Sequence, residues 1–280
     1  MVSVVIPTYN REKTITKAVQ SVLDQTYTDL EVIIVDDGSK DQTKSVIDNI
    51  KDERVKYFFQ KNSGACIARN AGIQYAKGDY IAFHDSDDIW RKDKLEKQMQ
   101  ALLSSGADIV FCKLVIHKTT GELQYKPEKC KTGIMNPVVN LFGIGTQTLL
   151  AHRYVFDDVK FDPEMPRFQE FELLFRATKK YSISCLDEGL VDYYVGEDSI
   201  STNSQKLYLA CTLLVKKHPE IISRYPEMGI RMSQYLLSAA AKEARSDNRV
   251  DYLRLALRCH LNFKLIIKAI LIYIGHYNYR

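Results

Sequence analysis

The sequence predicts an α/β fold: a mainly parallel sheet with helices on both faces, followed by a helical C-terminal extension. Three observations carry that reading. Short, continuous apolar runs recur over about the first ninety residues, as strands buried on both faces require. Segments with apolar residues spaced three and four apart separate these runs, the mark of amphipathic helices. After about Gln205 every recognisable segment keeps helical spacing. Strand alternating with helix implies βαβ units, right-handed crossovers and a parallel sheet.

Each element follows in order. Val2 to Ile6 is an apolar run ended by Pro7, and Ile15, Ala18, Val19, Val22 and Leu23 follow as a helix. Val32 to Val35 is a second strand, ended by Asp36-Asp37-Gly38-Ser39, and Val46, Ile47 and Ile50 mark a second helix. Val55 to Phe59 reads as a strand, and Gly64 to Ala76 as a helix stopped by Lys77-Gly78. Tyr80 to Phe83 is a strand, Leu95 to Leu103 a helix and Asp108 to Ile116 a strand. From Thr119 to about Pro137 the pattern is lost, which predicts loops or a short hairpin. Arg167 to Lys179 is helical, and Ser182 to Leu186 and Leu190 to Val195 read as two strands. The predicted organisation is a catalytic domain over 1–204, with halves at about 1–115 and 116–204, and a helical region over 205–280.

Composition narrows the class. At 280 residues the chain can bury a sizeable core. Its six cysteines (66, 112, 130, 185, 211 and 259) are scattered. That spacing predicts neither a disulfide framework nor a zinc site, so a reducing cytosol is the default. Met1 leads almost directly into a strand with no basic n-region, so no signal peptide is expected. The net charge of +4 is uneven: residues 241–280 carry +5 and the rest carries −1. A nucleic-acid binder spreads basic charge through its body, so nucleic acid is not an expected partner.

The chemistry gathers at strand ends. Strand one ends in Pro7-Thr8-Tyr9-Asn10-Arg11, strand two in Asp36-Asp37-Gly38-Ser39, and the Tyr80–Phe83 strand runs into Asp85-Ser86-Asp87-Asp88. The C-terminal ends of parallel strands share one edge, where such sheets bind ligands. Three carboxylates within four residues repel one another unless something positive sits among them. A hard cation such as Mg²⁺ takes one or two carboxylates plus substrate phosphates. Tyr9 offers a face for a base, and Asp37 an acceptor for the N–H of a pyrimidine.

The stretches Val-Val-Ile-Pro-Thr-Tyr-Asn-Arg, Ile-Ile-Val-Asp-Asp-Gly-Ser, Asn-Ser-Gly-x-x-x-Ala-Arg-Asn-Ala-Gly-Ile and Gly-Asp-Tyr-Ile-Ala-Phe-His-Asp-Ser-Asp-Asp occur in that order. Together they resemble family 2 inverting glycosyltransferases of the GT-A fold, a Rossmann-like architecture, of the bacterial surface-polysaccharide type. The resemblance is dense over about 2–115 and thin to about 201. It implies a nucleotide-sugar donor, usually a UDP-sugar, and a glycan or lipid-linked acceptor. It implies that Pro7, Thr8, Tyr9, Arg11, Asp37, Arg69, Asp85 and Ser86 bind the nucleotide. It also implies that Asp87, with Asp85, holds Mn²⁺ or Mg²⁺. Asp88 is expected to be a solvated residue at the start of a helix. The family's acceptor-side segment carries an acidic pair whose second acid is the catalytic base, and that position is Glu170. Two departures stand there: Gln169 replaces the first acid, and the second is Glu rather than Asp. Glu172 is the rival base, expected on the helix surface. A third departure is Gly196, where the family often has a His that meets the metal or diphosphate; either the metal keeps a water there, or Glu197 or Asp198 substitutes. Gly196 to Asn203 is a candidate lid.

The tail is read as one helix, Tyr252 to Ile274. On it Arg254, Arg258, Lys264 and Lys268 fall within an arc of about 120° opposite an apolar side. Its apolar stretch is too short to span a bilayer. A peripheral contact with an anionic membrane and packing in a homodimer both fit such a helix, so the expected location is cytoplasmic, with the cytoplasmic membrane face as the variant. Two other functions remain open. A sugar-phosphate nucleotidyltransferase is disfavoured, because no Gly-rich, Lys/Arg-bearing loop follows strand one. A non-catalytic GT-A partner subunit is disfavoured, because Asp85, Asp87 and Glu170 are all present.

Overall fold

The structure, a computed structural model, describes residues 1–128, 130, 132–134, 141, 143–194, 203–242 and 248–273. The chain divides into two compact units, Met1–Pro163 with Gln169–Glu197, and Glu164–Phe168 with Asp198–Arg280.

The first unit holds a ten-stranded mixed sheet. Its first half is β1 (Val2–Thr8), α1 (Ile15–Leu23), β2 (Leu30–Asp36), α2 (Thr43–Asp48), β3 (Val55–Phe59), α3 (Ala65–Tyr75) and β4 (Tyr80–Phe83). There follow β5 (Ile89–Trp90), α4 (Lys94–Ser105), β6 (Ile109–His117), β7 (Leu123–Lys126), β8 (Gly133–Ile134), β9 (Leu149–His152), α5 (Arg153–Asp158), α6 (Gln169–Ala177) and β10 (Ile183–Tyr194). The main strand order is β3-β2-β1-β4-β9-β6-β10-β5, with β7 on β6 and β8 on β10. β1, β2, β3 and β4 pair in parallel, as do β6 and β10. β9 joins β4 to β6 antiparallel. β9 was not among the expected strands, and β5, β7 and β8 also pair antiparallel, so the sheet is mixed.

The period of two in a strand sorts helices onto both faces. Val2, Val4 and Ile6 of β1 and Leu30, Val32 and Ile34 of β2 share one buried cluster with Ile15, Val19 and Val22 of α1 and Leu95, Met99 and Leu102 of α4. The odd positions face α3 and α5. Val5 lies against Gly72 of α3, and Phe83 packs edge-on to Phe156 and Phe161 at 5.0 and 5.2 Å. Fully burying each such side chain is worth about 1.5–3 kcal/mol. A polar latch stops α3 below the sheet: the Lys77 N–H donates to Glu31 Oε1 and the Gly78 N–H to Ser3 Oγ, at 2.7 and 2.8 Å.

The second unit is helical: α7 (Ser204–Lys217), α8 (Glu220–Arg224), α9 (Pro226–Lys242), α10 (Asn248–Cys259) and α11 (Phe263–Tyr273). Its core includes Cys211, Leu214, Met228, Met232, Leu236, Tyr252 and Ala256. Among the described residues no helix is long and apolar enough to cross a membrane.

Three expectations are corrected here. Two predicted strands after α6 are one, β10, whose pairing with β6 shifts register around Gly189. The single tail helix is two, because Asn262 Oδ1 accepts from the Leu265 N–H at 2.8 Å and starts a new helix; the basic arc drawn across that break is not a structural unit. Cys130 and Cys185 are joined as a disulfide, Cα atoms 6.5 Å apart, where scattered cysteines had suggested no such framework. β8 pairing with β10 brings Gly133 opposite Cys185 and draws the two segments together. The other four cysteines are buried and free.

Candidate active site

Parallel register places the first two strand ends level, with Thr8 beside Asp36. The loops beyond them lock together. The Asp37 N–H donates to the Thr8 carbonyl at 2.8 Å. Asn10, at φ 51°, donates its N–H to Ser39 Oγ and accepts from the Lys40 N–H through Oδ1. Asn is among the few residues that take this left-handed conformation readily. Asp36 is fully buried and accepts from the Ser39 N–H and the Tyr57 hydroxyl.

Asp37 holds the third loop. Its Oδ1 accepts from Gln60 Nε2 and the Ser63 N–H, and its Oδ2 from the Gly64 N–H, at 2.7–2.8 Å. An ionised carboxylate has about four acceptor positions, so one stays open. Gly38, at φ +84°, lets this turn close, since a Cβ there would sit 2.8 Å from the Asn62 N. Tyr9 exposes 42% of its surface at the rim, while Thr8 is buried and its Oγ1 has no partner among the described residues. Pro7 is half-buried.

The third strand end carries the acids. The His84 N–H still donates to the Val5 carbonyl, so β4 is held to β1 up to the turn. Asp85 pairs with Arg69 at 2.9 Å, and Asp87 with Arg11 at 3.4 Å. Ser86 between them is buried. The Asp87 carboxyl titrates above the ordinary range although 47% of its side chain is exposed: desolvation in the loop cluster is the larger cause, Asp85 the second, and Arg11 opposes both.

Asp88 corrects its expectation. It is 1% exposed and accepts from Gln147 Nε2 at 2.8 Å. Burial first, then Asp85 and Asp87, push it well above the usual carboxylate range. The Thr146–Thr148 turn that supplies Gln147 follows a segment without periodic pattern, so nothing in the sequence pointed to it.

Arg69 ties these acids to α6. It is 6% exposed; Nη2 donates to Asp85, Nη1 donates to Gln169 Oε1 at 2.8 Å, and Nε has no partner among the described residues. Gln169 opens α6 directly after Phe168, whose φ of 58° is uncommon for a bulky residue. Glu170, next in line, is half-buried. It lies close enough to Cys66 of α3 to act on it: that thiol is pushed up to about 12, by burial first, with Asp162, Glu170 and Glu172 adding and Arg69 opposing. Glu172 is not on the surface as expected. It is 2% exposed, and both its oxygens accept from Arg176 at 2.7 Å. A stripe of Phe171, Leu173, Leu174 and Phe175 hid this pairing, because the i,i+4 arginine makes the buried carboxylate tolerable.

The donor chemistry suits a hard divalent ion. Among the described residues no three His, Cys, Asp or Glu side chains are set to surround one. Two carboxylates with the remaining oxygens from phosphate and water is the usual habit of Mg²⁺. Gly196, Glu197, Asp198 and the candidate lid up to Thr202 lie outside the described residues.

A model of the family "Glycosyl transferase family 2" matches residues 3–159. The chain is 30% identical over 244 residues to the Escherichia coli UDP-Glc:alpha-D-GlcNAc-diphosphoundecaprenol beta-1,3-glucosyltransferase WfgD, covering 85% of this chain and 91% of that protein. Its fold resembles that of S. aureus TarS 1-349 in complex with UDP-GlcNAc, with TM-score 0.68, 20% identity, and coverage of 97% and 89%. It also resembles the mannosyltransferase PcManGT of Pyrobaculum calidifontis in complex with GDP-Man and Mn2+, with TM-score 0.63, 15% identity, and coverage of 98% and 86%. With the family matched over more than half of its length, and a relative aligned almost end to end, this chain belongs to glycosyl transferase family 2 and is a glycosyltransferase of the GT-A fold.

Proposed function

We propose that this enzyme transfers a sugar, with inversion, from a UDP-sugar to a hydroxyl of a glycan or lipid-linked acceptor, using Mn²⁺ or Mg²⁺. The observation that carries the proposal is the Arg69 hub, which joins Asp85 at the donor end to the first turn of α6, where Glu170 stands. The UDP-Glc and diphosphoundecaprenol in the name of WfgD, and the Mn2+ bound by PcManGT, support the donor, acceptor and ion classes.

In this reading Tyr9 stacks on the base, and the open acceptor position of Asp37 takes the pyrimidine N–H. Pro7, Thr8 and Ser86 shape the pocket, and Arg11 and Arg69 orient the diphosphate. Asp87 and Asp85 would hold the ion, which would supply Lewis-acid stabilisation of the diphosphate leaving group. Glu170 removes the acceptor hydroxyl proton as that oxygen bonds to the anomeric carbon. The bond to the diphosphate breaks on the opposite face, its electron pair leaves with the phosphate oxygen, and one displacement inverts the configuration. Glu172 is the poorer candidate, because it is 2% exposed and its charge is paired with Arg176.

Glu170→Gln keeps shape but cannot take a proton. It should lower kcat by about 10²–10⁴-fold with donor KM nearly unchanged. If Glu172→Gln has that effect and Glu170→Gln does not, the base is misassigned. Asp87→Ala should abolish transfer from every active nucleotide sugar in a screened panel, and full turnover in excess chelator would refute the metal role.

A lipid-linked acceptor implies work at a membrane surface. α11 buries Leu265, Ala269 and Ile272 and turns Ile267, Ile270 and Tyr273 outward, 42–56% exposed, beside the exposed Lys264. A cavity of about 150 Å³ bordered by Gln234, His260, Asn262, Lys264 and Lys268 adjoins it. An apolar line edged by lysines suits the interface of an anionic bilayer. We place this helix there, on the cytoplasmic face.

A further inference from the structure

We propose that Gln169 is a positioning residue that sets how tightly Asp85 and Asp87 hold a divalent cation, by reserving the charge of Arg69 for Asp85. The inference rests on the metal role assigned above to those two acids.

Arg69 is a single buried cation with two acceptors, Asp85 Oδ1 at 2.9 Å and Gln169 Oε1 at 2.8 Å. Its ring neighbour Phe161, 5.5 Å from the guanidinium carbon, keeps water from that side. Both bonds are charge-assisted by the guanidinium, but Asp85 adds a full opposite charge and a bidentate-capable carboxylate, whereas the Gln169 amide offers only a dipole. The neutral amide of Gln169 therefore fixes the direction of the guanidinium while competing weakly for its charge. Asp85 keeps nearly the whole compensation. A carboxylate at position 169 would divide the same fork between two anions. The acidic turn, with Asp87 and the buried Asp88 beside Asp85, would then present a more negative field to an incoming cation.

The neutral residue thus restrains cation affinity, and after transfer the metal-bound diphosphate dissociates from the protein more readily when its ion is held less tightly. The same bond pins the first residue of α6, so position 169 also fixes the backbone that carries Glu170. The two roles separate by substitution. Gln169→Glu keeps length and acceptor and adds charge. Gln169→Leu removes the acceptor and adds none.

The test is a titration of the full chain with Mn²⁺ alone, following the free-ion signal by electron paramagnetic resonance. Gln169→Glu should bind Mn²⁺ about three- to tenfold more tightly than the parent, as one added charge nearby in a partly desolvated site predicts. Arg69→Gln, which withdraws the cation, should shift affinity in the same direction and stands in if Gln169→Glu does not fold. Gln169→Leu should leave Mn²⁺ affinity within about twofold while lowering kcat and sparing donor KM, because only the placement of Glu170 changes. Affinities of Gln169→Glu or Arg69→Gln equal to or weaker than the parent's overturn this inference and leave the metal site standing. A parent chain that binds no Mn²⁺ overturns both.

Discussion

Lys94 carries an ammonium group where almost no water reaches it. It is fully buried, 3.6 Å from the centre of the Trp90 ring, and donates to Gln98 Oε1 at 2.6 Å. Burial lowers its pKa to about 8. His84, also buried against Trp90, is lowered to about 3, by burial first and by Lys94 second, so it stays neutral. The unfolded chain keeps Lys94 protonated up to an ordinary lysine pKa near 10.4. Between about 8 and that value it binds more protons than the native state, so stability rises with pH there, by up to about 3 kcal/mol from this group. Below that window the charged lysine is a constant cost. Urea unfolding of the parent and Lys94→Met at pH 7 and pH 10 should therefore show the difference moving in favour of the parent. Parallel pH curves would show that Lys94 titrates normally.

Among the elements, α3 is the one that most directly couples packing to function. It carries Arg69 and crosses β1 at Gly72, where a Cβ would lie 2.3 Å from Val5 Cγ1. Gly72→Ala must push the helix off the strand, at a cost of about 1–3 kcal/mol. The push should also displace Arg69 from Asp85 and Gln169, so activity falls further than stability alone explains. Val5→Ala removes the obstructing methyl groups. Thermal melts should show Gly72→Ala/Val5→Ala more stable than the sum of the single changes predicts. Simple additivity would mean that the close approach is not what limits the site. α6 depends in the same way on its neighbours. Its start is set by the Phe168 backbone and the Arg69 bond, and its buried Glu172 is compensated by Arg176 one turn on.

At the scale of the whole molecule, the residues proposed for catalysis all belong to the first unit and those proposed for membrane contact to the second. The two functions should therefore be separable. Ile267→Glu with Ile270→Glu should release the protein from anionic vesicles in co-sedimentation, and leave transfer to a small soluble acceptor largely intact. Lys264→Glu with Lys268→Glu should weaken binding by about 1 kcal/mol per charge, and added salt should mimic it in the parent. Failure of the parent to bind anionic vesicles at low salt removes the membrane assignment without touching the enzymatic one. A concentration-dependent dimer lost on the same isoleucine changes would assign the face to a second copy instead.

Sequence by itself determined the parallel half of the sheet, because continuous Val and Ile runs such as Val32 to Val35 have few other places to go. It also determined which residues stand at the strand ends, because Pro7, Gly38 and the acids of 85–88 break those runs where loops must begin. It marked Gln169 as a departure without showing its partner, since Arg69 lies a hundred residues away. Tertiary structure decided the rest. Charged side chains are usually solvated, which predicts solvated positions for Asp88 and Glu172; Gln147 and Arg176, placed by the fold, accompany them into the interior. β9 is a four-residue strand in a stretch to which no element was assigned, too short to carry a pattern of its own, and its position came from two strands already in place. The Cys130–Cys185 bridge and the break at Asn262 have the same origin: each depends on what a neighbouring segment supplies. Local pattern reports a residue's own preference for water, whereas burial of a charge or closure of a bridge is set by a partner distant in the chain.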